Sequence, residues 1–460
     1  MYKIRTPAAP ALDERWHGRL KQLLFVMGET FETLMPSPQY VEKAYGAFME
    51  SGCQENPLLY PDGILPAALQ EVEQGLTRLK NEISGQEHHE GIRAAYIERI
   101  DESLANIRMV QAAYAHDTEN FAQANAYIYG KPDIRIYTAA CQWLRQEAER
   151  CATDDSVPDD VAAAVLEVVP YEAEGQDSLM PSNDVFRRVQ VLHTVEGGYF
   201  EQLFAGLDIP ESGIVDEQLG DLLTQQVIAN IGSDYELQES TNGLWAVIQN
   251  QKRVLRPQHY ELTSTAFKAI ITHEVGCHLL EYTNGADAGL RLLELGLDRY
   301  EAGNEGRAVL REQLMYTSVE EYIRQPQWFP TKASWEYRVA IHLVVSLASG
   351  ITGRPYGFAE IYRVLTVLFR FWTLQRYREV DEAVISRGAW SMAVRVMKGT
   401  DGTGGAYLKD IVYLEGNVRC WQAVVARPEL ILFGDLGKFD IASERHILLL
   451  EDIGILPKQK

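Results

Sequence analysis

No stretch of this 460-residue chain holds the roughly 18 uninterrupted apolar residues that a membrane-spanning helix needs, so no span is expected. Met1-Tyr2-Lys3-Ile4-Arg5 runs into proline, alanine and charged residues with no apolar run, which argues against a secretory signal. Cysteine is scarce. Cys53, Cys141, Cys151, Cys277 and Cys420 are scattered, odd in number and free of any CxxC pair. That pattern fits a reducing compartment, the cytoplasm by default, better than a disulfide framework. Positive charge is also in deficit: 43 Lys and Arg face 65 Asp and Glu, for a net charge of −22. Neutralising phosphates takes clustered Lys and Arg, so neither a nucleic acid nor an anionic membrane is expected as a partner. The acidity reads first as solubility, with one local basic cluster at Lys252, Arg253 and Arg256. Internal repeats and low-complexity tracts are missing as well.

What is present is the composition of a folded protein, 46% hydrophobic and 23% charged, with length enough for two or three packed subregions. Residues 1–151 read as a mainly helical region and 152–460 as a second region carrying the motif described below, the two packed as one unit. Pro66–Ser84 and Ile92–Ala115 repeat apolar residues at helical spacing, with Pro66 in the first turn of its helix. Ala152–Asp160 reads as a linker or surface loop, and Val161–Tyr171 is too short to type. Leu244–Ile248 and Val254-Leu255 read as short strands joined near Gln249-Asn250-Gln251. Thr263 or Ser264 caps a helix running to about Tyr282, which Asn284-Gly285 is expected to end. Further helices are expected at Glu305–Met315, Trp335–Leu347, Phe358–Arg376 and Asp381–Val396. The glycine-rich turn Gly399–Gly405 then leads to an expected strand at Ile411-Val412-Tyr413-Leu414.

The informative string is Thr272-His273-Glu274-Val275-Gly276-Cys277-His278, an HExxxH. Histidines four apart stand about 40° apart around an α-helix and reach one ion; five apart is about 140°, too wide for a straight helix. The spacing therefore requires one extra residue to be absorbed, most simply as a π-bulge. Gly276 is expected to ease that adjustment of the backbone. A zinc peptidase needs a third protein ligand, and Glu281, Glu294, Glu301 and Glu305 are the downstream carboxylates. Glu281 is expected to point elsewhere. Glu305 opens a helix that can pack against the first, giving a His, His, Glu set of gluzincin type; it could equally serve only its helix N-terminus. With Zn²⁺ held there, Glu274 is placed to act as base toward water. Tyr413, His342 and Tyr337 are candidates for steadying an oxyanion, although a Tyr or His on an apolar helix or strand is more often core packing.

The HExxxH block, Asn304-Glu305-Gly306-Arg307-Ala308-Val309-Leu310, and a third block from Arg395 through Lys398-Gly399 and Gly404-Gly405-Ala406-Tyr407-Leu408-Lys409-Asp410-Ile411-Val412-Tyr413-Leu414-Glu415-Gly416 together resemble one family. It is the tyrosine carboxypeptidase family, which includes the microtubule-associated tubulin-detyrosinating enzymes. Its bacterial members are called QEGLA-motif or flavohaemoglobin expression-modulating proteins. Ile128-Tyr129-Gly130-Lys131-Pro132-Asp133 is weakly similar too, so the resemblance covers most of the chain. It implies one zinc ion on His273, His278 and Glu305, Glu274 as base, and removal of a C-terminal, aromatic residue from a peptide or protein. Lys409 and Arg395 are the candidate cations for the terminal carboxylate. In the QEGLA-like block Asn304 stands for Gln and Arg307 for Leu; Arg307 is expected to alter substrate preference or to reach solvent. The net charge of −22 argues against an acidic tubulin tail unless the Lys252, Arg253 and Arg256 cluster builds a basic groove.

The expected fold is α+β, predominantly α-helical and gluzincin-like, with a small sheet beside the HExxxH helix. Its edge, at Val254-Leu255 or Leu244–Ile248, would hold an extended substrate. One rival reading is an exopeptidase of dipeptidyl peptidase III type, which works from the amino end and would need carboxylates to grip an amine. Another is a non-enzymatic zinc-containing regulatory or binding protein, against which the retained Glu274 speaks. Cys277, the one nearby thiol, is expected to pack in the helix face.

Overall fold

The computed structural model describes residues 8–27, 34–154, 156–171, 178–196, 198–210, 213–240, 245–248, 251–324, 334–377 and 379–458. The chain is mostly helical with two small sheets. Helices Glu14–Met27, Pro38–Glu50, Ala67–Gln86, Glu90–Tyr114, Thr118–Tyr129, Ile134–Thr153, Asp159–Val168 and Asn183–Val191 precede the sheets. Among the described residues the strands are β1 (Ile214–Asp216), β2 (Glu236–Glu239), β3 (Ala246–Ile248), β4 (Arg253–Arg256) and β5 (Glu261–Thr263). β1 and β5 pair antiparallel, with Val215 opposite Leu262. β4 is central in the other sheet, parallel to β2 and antiparallel to β3. Among the described residues no helix is long and apolar enough to cross a membrane.

The helices that build the site are, in chain order, α1 (Tyr199–Leu203), α2 (Ser264–His273), α3 (Leu280–Asp287), α4 (Glu301–Gln313), α5 (Trp335–Ala348) and α6 (Ile411–Ala426). Thr263 caps α2 by accepting the Ala266 N–H at 3.3 Å. Along α2 and beyond, Phe267, Ile271 and Val275 join Val215, Val227 and Val254 in a core between helix and sheets. Burying such a side chain contributes on the order of 2 kcal/mol, so the sheets anchor the motif helix from below. A second core joins Trp16, Leu76 and Ile100 to Leu293, Trp421 and Leu450. A third joins Phe48, Tyr137 and Leu144 to Val344, Phe371 and Trp390. Both draw on residues from each end of the chain.

α4 and α6 pack along their lengths, and two glycines let their backbones touch. A Cβ on Gly306 would collide with the Gly416 carbonyl, and one on Gly416 with the Ala302 carbonyl. The Asn417 amide donates to the Gly306 carbonyl at 3.2 Å and fixes the crossing.

Phe358–Arg376 is a helix over the range read from the sequence. Ile411–Leu414 is the first turn of α6 and not a strand; three of these four apolar side chains are buried, and an unbroken apolar run carries no periodicity to separate strand from helix. Asn284-Gly285 does not end the motif helix, because α3 continues to Asp287. Gly285 is there for close approach, since a Cβ would stand 2.6 Å from the Glu294 backbone nitrogen. Pro66 is the N-cap residue of Ala67–Gln86, one place before the expected first turn. The helix Ile134–Thr153 and the next, from Asp159, leave a shorter loop than Ala152–Asp160, and Asp159–Val168 gives much of Val161–Tyr171 a helical form. Leu244, Gln249 and Asn250 lie outside the described residues.

Candidate metal centre

The five-residue spacing is absorbed as the sequence requires. α2 ends at His273, a π-helical turn occupies Glu274–Leu279, and α3 follows. Widening the turn brings His278 round to the face of His273. Of residues 271–280, only His273, Glu274 and His278 are partly exposed; the rest are buried. The segment thus presents the three chemistry-bearing residues of the motif and packs everything else, Cys277 included.

The two imidazole centroids lie 4.9 Å apart with the rings at 79°. Glu305 Oε2 stands 3.6 Å from His273 Nε2 and 3.6 Å from His278 Nε2. One ligand atom from each of the three residues falls within 4.8 Å of the others, so the group could hold a metal ion. Two ligands on a tetrahedral zinc stand about 3.4 Å apart, and nitrogen and carboxylate oxygen are donors that zinc takes. The residues present fit the ion. α4 begins at Glu301, so Glu305 sits in its second turn and not at its start, and the Gly306–Gly416 contact fixes where that turn lies.

Burial would raise the Glu305 carboxyl, but the charge of His278 and hydrogen bonds from His273 and His278 hold it well below the usual range. Burial would lower His273, yet hydrogen bonds to Glu305 and Glu312 and the charge of Glu274 hold it well above the ordinary imidazole value. Glu312, unassigned from sequence, lies 3.2 Å from His273 Nδ1 through Oε2. That oxygen also accepts from Arg338 Nη2 of α5 at 2.9 Å, and both side chains are buried. The readable signal was position: seven residues past Glu305, Glu312 returns to the same helix face.

Arg395 is held by Asp410, with Nε 2.7 Å from Oδ2. Lys409 has a looser contact, Nζ to Glu301 Oε1 at 3.6 Å, and remains partly exposed. Burial raises the Tyr413 hydroxyl well above its usual range, and the charge of Glu305 adds to it; Arg395 and Lys409 pull the other way. Burial likewise raises Tyr337, which feels Arg395 and Asp410. Arg395, Lys409, Tyr413 and Tyr337 thus share one electrostatic neighbourhood. His342 is fully buried and faces Glu415, 2.9 Å away. Glu415 also accepts the Asp133 N–H at 2.8 Å, which ties the Ile128–Asp133 block to α6.

Arg307 is buried, 1% exposed, and does not reach solvent. It pairs with Glu281 and with Asp435 Oδ1, the latter at 2.7 Å. Asn304 donates to the same Glu281. The two departures from the QEGLA pattern therefore meet on one buried carboxylate, which lies outside the ligand trio. Two members of the basic cluster are paired locally: Lys252 with Asp234, and Arg256 with Asp221 at 2.9 Å and Glu217 at 3.2 Å. β3 packs against the π turn. Val254-Leu255, in the central strand, is paired on both sides and offers no edge; among the described residues β3 has β4 alone as partner.

The family model described as microtubule-associated tyrosine carboxypeptidase matches residues 219–325. That stretch contains His273, Glu274, His278 and Glu305 and supports a carboxypeptidase-type function at the level of the family. Searches of curated proteins and of solved structures found no match.

Proposed function

We propose that the protein is a zinc-dependent metallocarboxypeptidase that removes one C-terminal residue, aromatic in preference, from a peptide or protein. The observation that carries the reading is the π turn: it faces His273 and His278 toward Glu305 and leaves Glu274 as the other exposed group of the segment. His273, His278 and Glu305 would hold the ion in a gluzincin-like set, with Glu312 orienting His273 through Nδ1. When bound, zinc would polarise the scissile carbonyl and acidify water at the site.

Glu274 takes a proton from the attacking water and passes it to the departing amine. Lys409 binds the terminal carboxylate; its 3.6 Å contact with Glu301 yields more readily than the close Arg395–Asp410 pair. Tyr413, kept protonated by burial, donates to the developing oxyanion. The edge of β3 that lies away from β4 pairs with the extended substrate. With Lys252 and Arg256 paired to neighbouring acids and a net charge of −22, a substrate other than a strongly acidic tubulin tail is favoured. None of the five cysteines forms a disulfide, which fits the cytoplasm as compartment.

Mass spectrometry of a mixed peptide pool incubated with zinc-loaded protein, beside Glu274→Gln, tests this. Loss of single C-terminal Tyr or Phe residues in the wild type, reduced at least 100-fold in the variant, is expected. Cleavage from the amino end would replace the reading with a dipeptidyl-peptidase-like one. Bound zinc without any cleavage would favour a binding protein.

A further inference from the structure

The π turn between His273 and His278 redirects a rung of the helix ladder away from the Gly276 carbonyl. The Leu280 N–H is directed to Val275 and Cys277, whereas an α-helical turn would send it to Gly276, four residues back. A side chain from elsewhere takes that carbonyl. The Tyr199 hydroxyl of α1 donates to Gly276 O at 2.6 Å, in a buried contact.

Tyr199 is itself fully buried, and its ring is held in place. The Arg311 guanidinium stands 4.0 Å from the ring centroid, and His193 stacks on it at 4.5 Å. Arg311 is fixed in turn by Asp435 Oδ2 at 2.9 Å and by the Ile431 carbonyl at 2.8 Å. Burial pushes the Tyr199 hydroxyl up, against the pull of Arg311 and Arg307, so it remains a donor at neutral pH. Gly276 completes the fit. A Cβ there would stand 2.5 Å from the Tyr199 hydroxyl and 2.8 Å from Leu203 Cδ2. Gly276 does not adopt a positive φ, so its use is to admit Tyr199 and not to bend the backbone.

We propose that Tyr199 is a positioning residue of the metal centre, clamping the Gly276 carbonyl so that the turn keeps its register and both histidines stay on one ion. The inference rests on the zinc reading of the site. Tyr199 is not one of the three proposed ligands. It acts through the backbone between the two ligands, and its partner Arg311 sits on α4, the helix that carries Glu305. One buried contact thus ties the histidine pair to the third ligand's helix.

The test measures zinc affinity of the full chain by competition with a chromophoric chelator, and the visible absorption of the cobalt(II)-loaded protein. Wild type, Tyr199→Phe, Gly276→Ala, the double variant and His278→Ala are compared, each with a thermal melt. Tyr199→Phe removes only the hydroxyl; it should weaken zinc roughly tenfold and shift the cobalt bands. Gly276→Ala should weaken zinc at least as much. The double variant should be no worse than Gly276→Ala alone, because both disturb one contact. A Tyr199→Phe protein that melts earlier but keeps wild-type affinity and cobalt spectrum would overturn the inference while leaving the zinc reading intact. If wild-type zinc binding does not depend on His278, the zinc reading falls and the inference falls with it.

Discussion

Glu312 shows what a single buried carboxylate does when two groups share it. Its Oε2 lies 3.2 Å from His273 Nδ1 and 2.9 Å from Arg338 Nη2, so it sets the ring and neutralises a buried guanidinium together. Glu312→Gln keeps the shape and removes the charge. It should weaken zinc by about 10- to 100-fold and lower stability by about 3 kcal/mol, because Arg338 is left buried without a counter-charge. Chelator competition and urea unfolding measure the two effects, and unchanged affinity would show that Glu312 serves Arg338 alone. Arg307 illustrates the opposite lesson. In sequence it is one substitution in a motif; in the fold it answers Glu281 and Asp435, partners that lie 26 residues before it and 128 after.

Among the elements, the α4–α6 crossing places Glu305, the proposed third ligand. Gly416→Ala would drive a Cβ into the Ala302 carbonyl, and α4 must move to make room. Overpacking of this kind costs about 1–3 kcal/mol. Zinc affinity should fall along with stability although all three ligands are present, whereas a variant that melts earlier but binds zinc normally would show that the crossing does not set Glu305. Legibility in the sequence divides along the same line. The π turn was readable because a five-residue histidine spacing has few geometrical solutions, and Phe358–Arg376 because its periodicity is helical throughout. Ile411–Leu414 was not, since a buried apolar run lacks alternation of either kind. Nor was the central position of β4: strand order depends on which segments meet, and Val254-Leu255 looks the same at an edge or in the middle. The roles of Tyr199 and Asp435 were equally hidden, for their partners are distant in sequence.

For the molecule as a whole, two carboxylates hold the outer helices to the segment between α3 and α4. Burial would raise both. His17, Lys21 and Tyr282 instead hold Glu294 at about 2, and His446 and Arg445 hold Asp298 at about 2. Both folded-state values lie below the unfolded ones of about 4.3 and 3.9. Their stabilisation is therefore complete above about pH 5 and is lost as pH falls through 4 toward 2; it amounts to on the order of 2–3 kcal/mol each at neutral pH. Urea midpoints measured from pH 7 to pH 3 should fall on the acid side, and Glu294→Gln should start lower and fall less steeply. Parallel profiles for the two proteins would assign the acid loss to other groups.

The backbone contact between Gly306 and Gly416 also bears on time. A chain made from its amino end exposes the histidine pair of α2 and the π turn long before α6 and Asp435 exist to receive α4. Glu305 cannot be fixed until about a hundred more residues have followed it. On the zinc reading, the growing polypeptide carries both histidines through more than a hundred further residues before Glu305 has the support that makes it a third ligand. A protease that must not act on its own nascent surroundings would gain a built-in delay from that order of events.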